Sequence, residues 1–126
     1  LSFWVRHDAT DVSLTFFARF STPDNFPAWS GVSFTPVQAN TWTQIVIPIS
    51  LSNPGLFYEG PPGGQTEFDN VFSNIGHLQI GVFGGDLAGV DQNVTFDLDH
   101  VELVPAPGVL ALCGLAGLVR QRRRTH

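Results

Sequence analysis

Apolar and polar residues alternate with a period of two in six short runs, residues 1–7, 12–20, 29–34, 42–50, 77–84 and 94–103. Each run is rich in β-branched and aromatic side chains and is set off by Pro, Gly, Asn or Ser. That period puts successive side chains on opposite faces of an extended chain, so each run predicts a strand. Nothing before Val104 repeats at the helical period, and without crossover helices the strands must pair antiparallel. The expected architecture is all-β, an antiparallel β-sandwich or jelly roll over residues 1–103. Residues 52–66, with Pro54-Gly55 and Pro61-Pro62-Gly63-Gly64, read as a loop that interrupts the pattern.

The alternation also sorts the faces. Val12, Leu14, Phe16, Ala18 and Phe20 share one side of the second run and predict a core face; Ser13, Thr15, Phe17 and Arg19 share the other. In the first run Leu1, Phe3 and Val5 fall together, leaving Trp4 and Arg6 on the polar side. Ile45, Ile47 and Ile49 form another buried row, as do Leu78, Ile80 and Val82. In the last run Phe96 and Leu98 alternate inward, and so do Val101 and Leu103, which is one residue out of phase. A β-bulge at Asp99 or His100 would absorb the extra residue.

Charge divides the chain. The part before Val104 holds all eleven acidic residues against only Arg6 and Arg19, and lysine is absent. Such a surface repels phosphate backbones, which argues against nucleic acid as a partner and is compatible with solubility or a bound cation. Cys113 is the single cysteine, so neither an internal disulfide nor a cysteine-based zinc cluster can form. The chain opens at Leu1 already in strand pattern, and the expectation is a sandwich whose N-terminal part lies upstream.

Residues 104–126 have a different grammar. Val104, Pro105, Ala106 and Pro107 are followed by an apolar stretch, 108–119, and then by Arg120, Arg122, Arg123 and Arg124. As a helix the stretch would span roughly 18 Å against about 30 Å of hydrocarbon, so it predicts a short hydrophobic helix, marginal as a permanent span. Positive charge just beyond it favours keeping that end cytoplasmic and the rest outside. The three parts in this order resemble a PEP-CTERM sorting tail, with Ala106 where that family's central Glu usually stands. The resemblance implies an exported protein of the cell envelope, transiently anchored in the inner membrane and processed near the Pro-Ala-Pro box by an exosortase-type sorting enzyme. Cys113 is either a lipidation site or a small apolar residue of the helix.

The globular part has its own resemblance. The segments 42–49 (Trp-Thr-Gln-Ile-Val-Ile-Pro-Ile), 75–82 (Ile-Gly-His-Leu-Gln-Ile-Gly-Val) and 96–103 (Phe-Asp-Leu-Asp-His-Val-Glu-Leu) are similar to the back half of jelly-roll modules of the carbohydrate-binding, galactose-binding-like type. Sugar recognition wants aromatic faces against the apolar side of a pyranose, with planar hydrogen-bonding groups beside them. Trp4, Arg6, Phe17 and Arg19 supply both, and share one polar face if the first two runs pair as a hairpin. The alternative is that these aromatics are covered and the arginines are paired to Asp8 or Asp11. Trp29, Phe57 and Tyr58, in or beside loops, are further candidates.

Asp97 and Asp99 alternate onto one side of the last strand, and the resemblance implies a structural calcium near that edge. Two carboxylates alone fall short of the six to eight oxygens calcium takes. His7, His77 and His100 lack zinc spacing. No Gly-x-Ser-x-Gly turn, His-Glu-x-x-His pair, phosphate loop or acid–base carboxylate pair is present, and Asn93-Val94-Thr95 reads as a chance sequon. The expected function is therefore non-enzymatic: a carbohydrate-binding, adhesion or extracellular-matrix module acting on extracellular polysaccharide. The alternatives are a purely structural surface domain or an accessory domain of a larger secreted hydrolase.

Overall fold

The computed structural model describes residues 1–103; the expected C-terminal helix, Pro-Ala-Pro box and arginine cluster lie outside the described residues. Among the described residues seven strands form, β1 (Ser2–His7), β2 (Phe16–Ser21), β3 (Ala28–Val32), β4 (Thr43–Val46), β5 (Leu56–Tyr58), β6 (His77–Val82) and β7 (Phe96–Glu102). A helix, α1 (Gln65–Phe72), and a 3₁₀ turn, Gly84–Leu87, complete the elements. The strands build two antiparallel sheets, one in the order β4-β1-β7 and one in the order β5-β3-β2-β6. No helix among the described residues is long and apolar enough to cross a membrane.

The apolar rows face each other between the sheets. Phe3 and Val5 of β1, Ile45 and Ile47 of the β4 segment, and Leu14, Phe16, Ala18 and Phe20 are all buried in one cluster. The register of the layers is marked by Gly31 in β3: a Cβ there would lie 2.5 Å from Ile47 Cγ2, so the absent side chain lets β4 close onto β3. At one end His7, itself buried, ties the connecting segments down. Its Nδ1 accepts from the Ala9 amide at 3.2 Å, so the proton sits on Nε2, which donates to the Val37 carbonyl at 2.8 Å. His7 is thus structural, not a ligand.

Four expectations change. β1 and β2 do not form a hairpin; residues 8–15 carry the chain from one sheet to the other. Each strand has one apolar face, and strands in opposite sheets bury those faces against each other, whereas a hairpin would leave both needing a cover. The loop expected over residues 52–66 contains β5, which pairs with β3. Directly after it stands a helix where none was expected. In α1 the Gly64 amide donates to the Glu67 carboxylate at 2.9 Å, and Phe68, Val71 and Phe72 line its inner side. Phe72 packs on Phe20 and Phe68 on Trp29 at ring separations of 5.2 and 5.8 Å, and the Trp29 indole donates to the Glu67 carbonyl. The helix thereby closes one end of the core.

The fourth change concerns the rows on β6 and β7. The bulge is where the phase shift put it: Ser2 pairs with Glu102 but Trp4 with Asp99, and His100 takes the left-handed conformation, φ +48°. The inward rows are only partly covered, however: Ile80 and Val82 are half-buried against the core, but the others are exposed. Leu78 is 38% exposed, Phe96 43%, Leu98 49%, Val101 43% and Leu103 57%. β6 and β7 are edge strands of their sheets, and Phe96 at the start of β7 meets Phe16 at the start of β2 edge-on at 6.2 Å.

Candidate functional site

The outer face of the three-stranded sheet concentrates the chemistry. Cross-strand pairing sets Trp4 between Gln44 and Asp99, and Arg6 opposite Asp97. The Arg6 guanidinium donates through Nε and Nη2 to Asp97 Oδ2, at 3.0 and 2.6 Å, and lies over the Trp42 ring at 5.1 Å. Trp42 precedes β4 and shares the side of Gln44. Trp4 is 39% and Trp42 43% exposed, a large cost in apolar surface unless something covers them. The result is two part-exposed indoles on adjacent strands with a planar cation, a carboxylate and an amide between and beside them. The Gln44 amide bonds the Ser2 hydroxyl at 3.1 Å, which fixes its orientation.

The four residues expected on one face divide into two pairs. Trp4 and Arg6 belong to this face, while Phe17 and Arg19 stand on the outer face of the opposite sheet, because β1 and β2 belong to different sheets. Arg19 is fully engaged there. Its Nε donates to Glu59 at 2.7 Å, Nη1 to the Asn25 side chain and Nη2 to the Asn25 carbonyl, both at 2.8 Å. Ser30 donates to the same Glu59 oxygen. The Arg19 bonds, more than the Ser30 bond, hold the Glu59 carboxyl below its usual value against the opposing effect of burial. The cluster pins the left-handed turn at Asn25 (φ +66°) and β5 to the sheet, a structural duty. Phe17 packs on Phe83 at 5.5 Å.

Asp97 and Asp99 share a face, but each already has a partner. Asp97 holds Arg6; Asp99 Oδ1 accepts from the His100 backbone amide at 2.8 Å and lies 3.1 Å from His100 Nδ1. Those bonds, the side-chain one foremost, lower the Asp99 carboxyl. Among the described residues no three acidic, histidine or cysteine side chains are grouped to hold a metal. The Asp99–His100 contact lies at the bulge.

On the other side of the molecule a cavity of about 550 Å³ is lined by Trp29, Leu56, Tyr58 and the Pro61-Pro62 segment. Trp29 and Tyr58 stack at 5.4 Å, and the Trp29 indole N–H is spent on α1. Phe57 points to the outer face, 49% exposed. The aromatics here mainly anchor the loop.

Sequence reasoning missed Trp42 and Gln44 as members of the site. Their alternation marks a polar side, but only the β1–β4 pairing brings them beside Trp4 and Arg6. No family model, curated protein or solved structure matches the chain.

Proposed function

We propose that residues 1–103 form a non-catalytic carbohydrate-binding module of jelly-roll type, exported to the bacterial envelope, with Trp4, Trp42, Arg6, Asp97 and Gln44 as its sugar-binding face. The single observation that supports this most is the pair of part-exposed tryptophans flanking a bonded Arg6–Asp97 pair on a sheet. Indoles stack on the C–H face of a pyranose, and guanidinium, carboxylate and amide groups bond its hydroxyls in the ring plane. Fixed partners keep those groups oriented before a ligand arrives, which lowers the entropy cost of binding. The cell-surface assignment rests on the tail: residues 104–107, the apolar stretch and the arginines direct the protein to an exosortase-type enzyme in the inner membrane.

A glycan array probed with the wild-type chain and with Trp4→Ala tests the binding role. Binding by wild type that the variant loses is the expected result; no glycan bound, or equal binding by both, overturns it. Mass spectrometry of the exported protein tests the tail separately. Loss of the arginine cluster is expected, and an intact C-terminus rules processing out.

A further inference from the structure

The Arg6–Asp97 pair on the outer face of the three-stranded sheet has hydrogen-bonding capacity left over. Both guanidinium bonds, from Nε at 3.0 Å and Nη2 at 2.6 Å, go to the same oxygen, Asp97 Oδ2. Asp97 Oδ1 accepts no hydrogen bond among the described residues, and the other N–H groups of Arg6 have no acceptor there. A free acceptor and free donors therefore stand side by side, next to Trp4 on β1 and the Trp42 ring under Arg6.

Charge decides what they can hold. Arg6 and Arg19 are the only arginines before Val104 and lysine is absent, and each arginine is already bonded to a carboxylate, Arg6 to Asp97 and Arg19 to Glu59 on the opposite sheet. The neighbouring charges on β7 are carboxylates too: Asp99, bonded to His100, and Glu102, opposite Ser2. A sugar hydroxyl both donates and accepts, so it uses Asp97 Oδ1 and an Arg6 N–H together. A uronate or sulfate group only accepts. It would meet Arg6 with the negative charge of Asp97 alongside, and no second arginine or lysine among the described residues offsets its desolvation. We infer that this face takes uncharged polysaccharide chains and turns away uronic-acid and sulfated ones, and that Asp97, the counter-ion that cancels Arg6, sets the choice. This rests on the proposed sugar-binding face and names the class of its ligand.

The test uses the full 126-residue chain, its Trp4→Ala and Asp97→Asn variants, and matched probes. Cello-, manno- and galacto-oligosaccharides are set against glucurono-, mannurono- and galacturono-oligosaccharides of the same linkage, so each pair differs only in a hydroxymethyl or a carboxylate at C6. Only binding that Trp4→Ala removes is counted, which separates this face from any contact made by Arg120, Arg122, Arg123 and Arg124. Protection of the wild-type tryptophans from acrylamide gives the same assignment without a variant. Calorimetry should show the neutral member bound about tenfold or more tighter, the scale of one close like-charge contact near a surface. Its affinity should not move between about 0.05 and 0.5 M salt, since no net charge is screened. Asp97→Asn leaves Arg6 an uncancelled cation and should shift the neutral-to-uronate affinity ratio by about tenfold towards the uronate. Circular dichroism checks that both variants are folded. A uronate bound through Trp4 as tightly as its neutral partner, or a ratio that Asp97→Asn leaves as it was, overturns the inference while the sugar-binding face stands. No binding through Trp4 by any probe overturns that face, and the inference with it.

Discussion

The seating of β4 on β3 turns on one missing side chain, and a double-mutant cycle reads it directly. In Gly31→Ala the new methyl would sit 2.5 Å from Ile47 Cγ2 and 3.3 Å from a Leu56 methyl, with Ile47 Cβ at 3.8 Å. Ile47 is fully buried between the sheets and cannot swing away, so overpacking should cost about 1–3 kcal/mol. Ile47→Ala alone should cost about 2–5 kcal/mol through lost burial and a cavity. It also removes the Cγ2 atom responsible for the clash, while the remaining Cβ contact is ordinary. Introducing Gly31→Ala into the Ile47→Ala background should therefore cost little or partly fill the cavity, giving a coupling of about 1–3 kcal/mol in favour of the double variant. Urea unfolding followed by far-ultraviolet circular dichroism supplies the four free energies, with unchanged slopes confirming comparable unfolding. Additivity within about 0.5 kcal/mol would mean that β4 does not lie on β3, and the layer assignment would fall.

Glu59 is held below its ordinary pKa by Arg19, so its ionisation stabilises the folded chain above the unfolded value of about 4.3, and that contribution is lost as pH falls through the lower folded value. The stability gap between wild type and Glu59→Gln should thus narrow between pH 7 and pH 3; a constant gap refutes the Arg19 clamp. His7→Leu leaves the Ala9 amide without its buried partner and should cost about 1–3 kcal/mol, and long-range nitrogen–proton spectra of the wild type should show the proton on Nε2. Asp97→Asn should change stability by under about 1 kcal/mol, since both members of the Arg6–Asp97 pair are roughly two-fifths exposed, yet weaken glycan binding; a large stability loss with intact binding would make the pair structural.

Most of the fold was legible where a strand has one wet and one dry face. Phe3 and Val5, Leu14, Phe16, Ala18 and Phe20, and Ile45 with Ile47 fell where alternation placed them, and the phase slip in the last run located the bulge at Asp99 or His100. α1 escaped because eight residues offer only Phe68, Val71 and Phe72 as its apolar side, too few to display a period. Leu78 and Leu98 show the converse limit: alternation says which way a side chain points, not whether anything lies opposite it. The site was half legible for the same reason. Trp4 and Arg6 could be set on a polar face from the sequence, but their neighbours come from pairings with β4 and β7, decided by which apolar rows cover which. Phe17 and Arg19 were joined to them by a hairpin that sheet-on-sheet burial does not allow.

The tryptophans themselves offer the most direct measurement. Trp29 is buried against α1, whereas Trp4 and Trp42 are open to solvent, so acrylamide should quench the latter two and spare the first. Titrating the wild-type chain with a glycan that it binds on the array should give a saturable fluorescence change and remove the acrylamide-accessible fraction, leaving all three indoles protected. A glycan that saturates the protein while Trp4 and Trp42 stay as quenchable as before would contradict the assignment of the binding face to the three-stranded sheet.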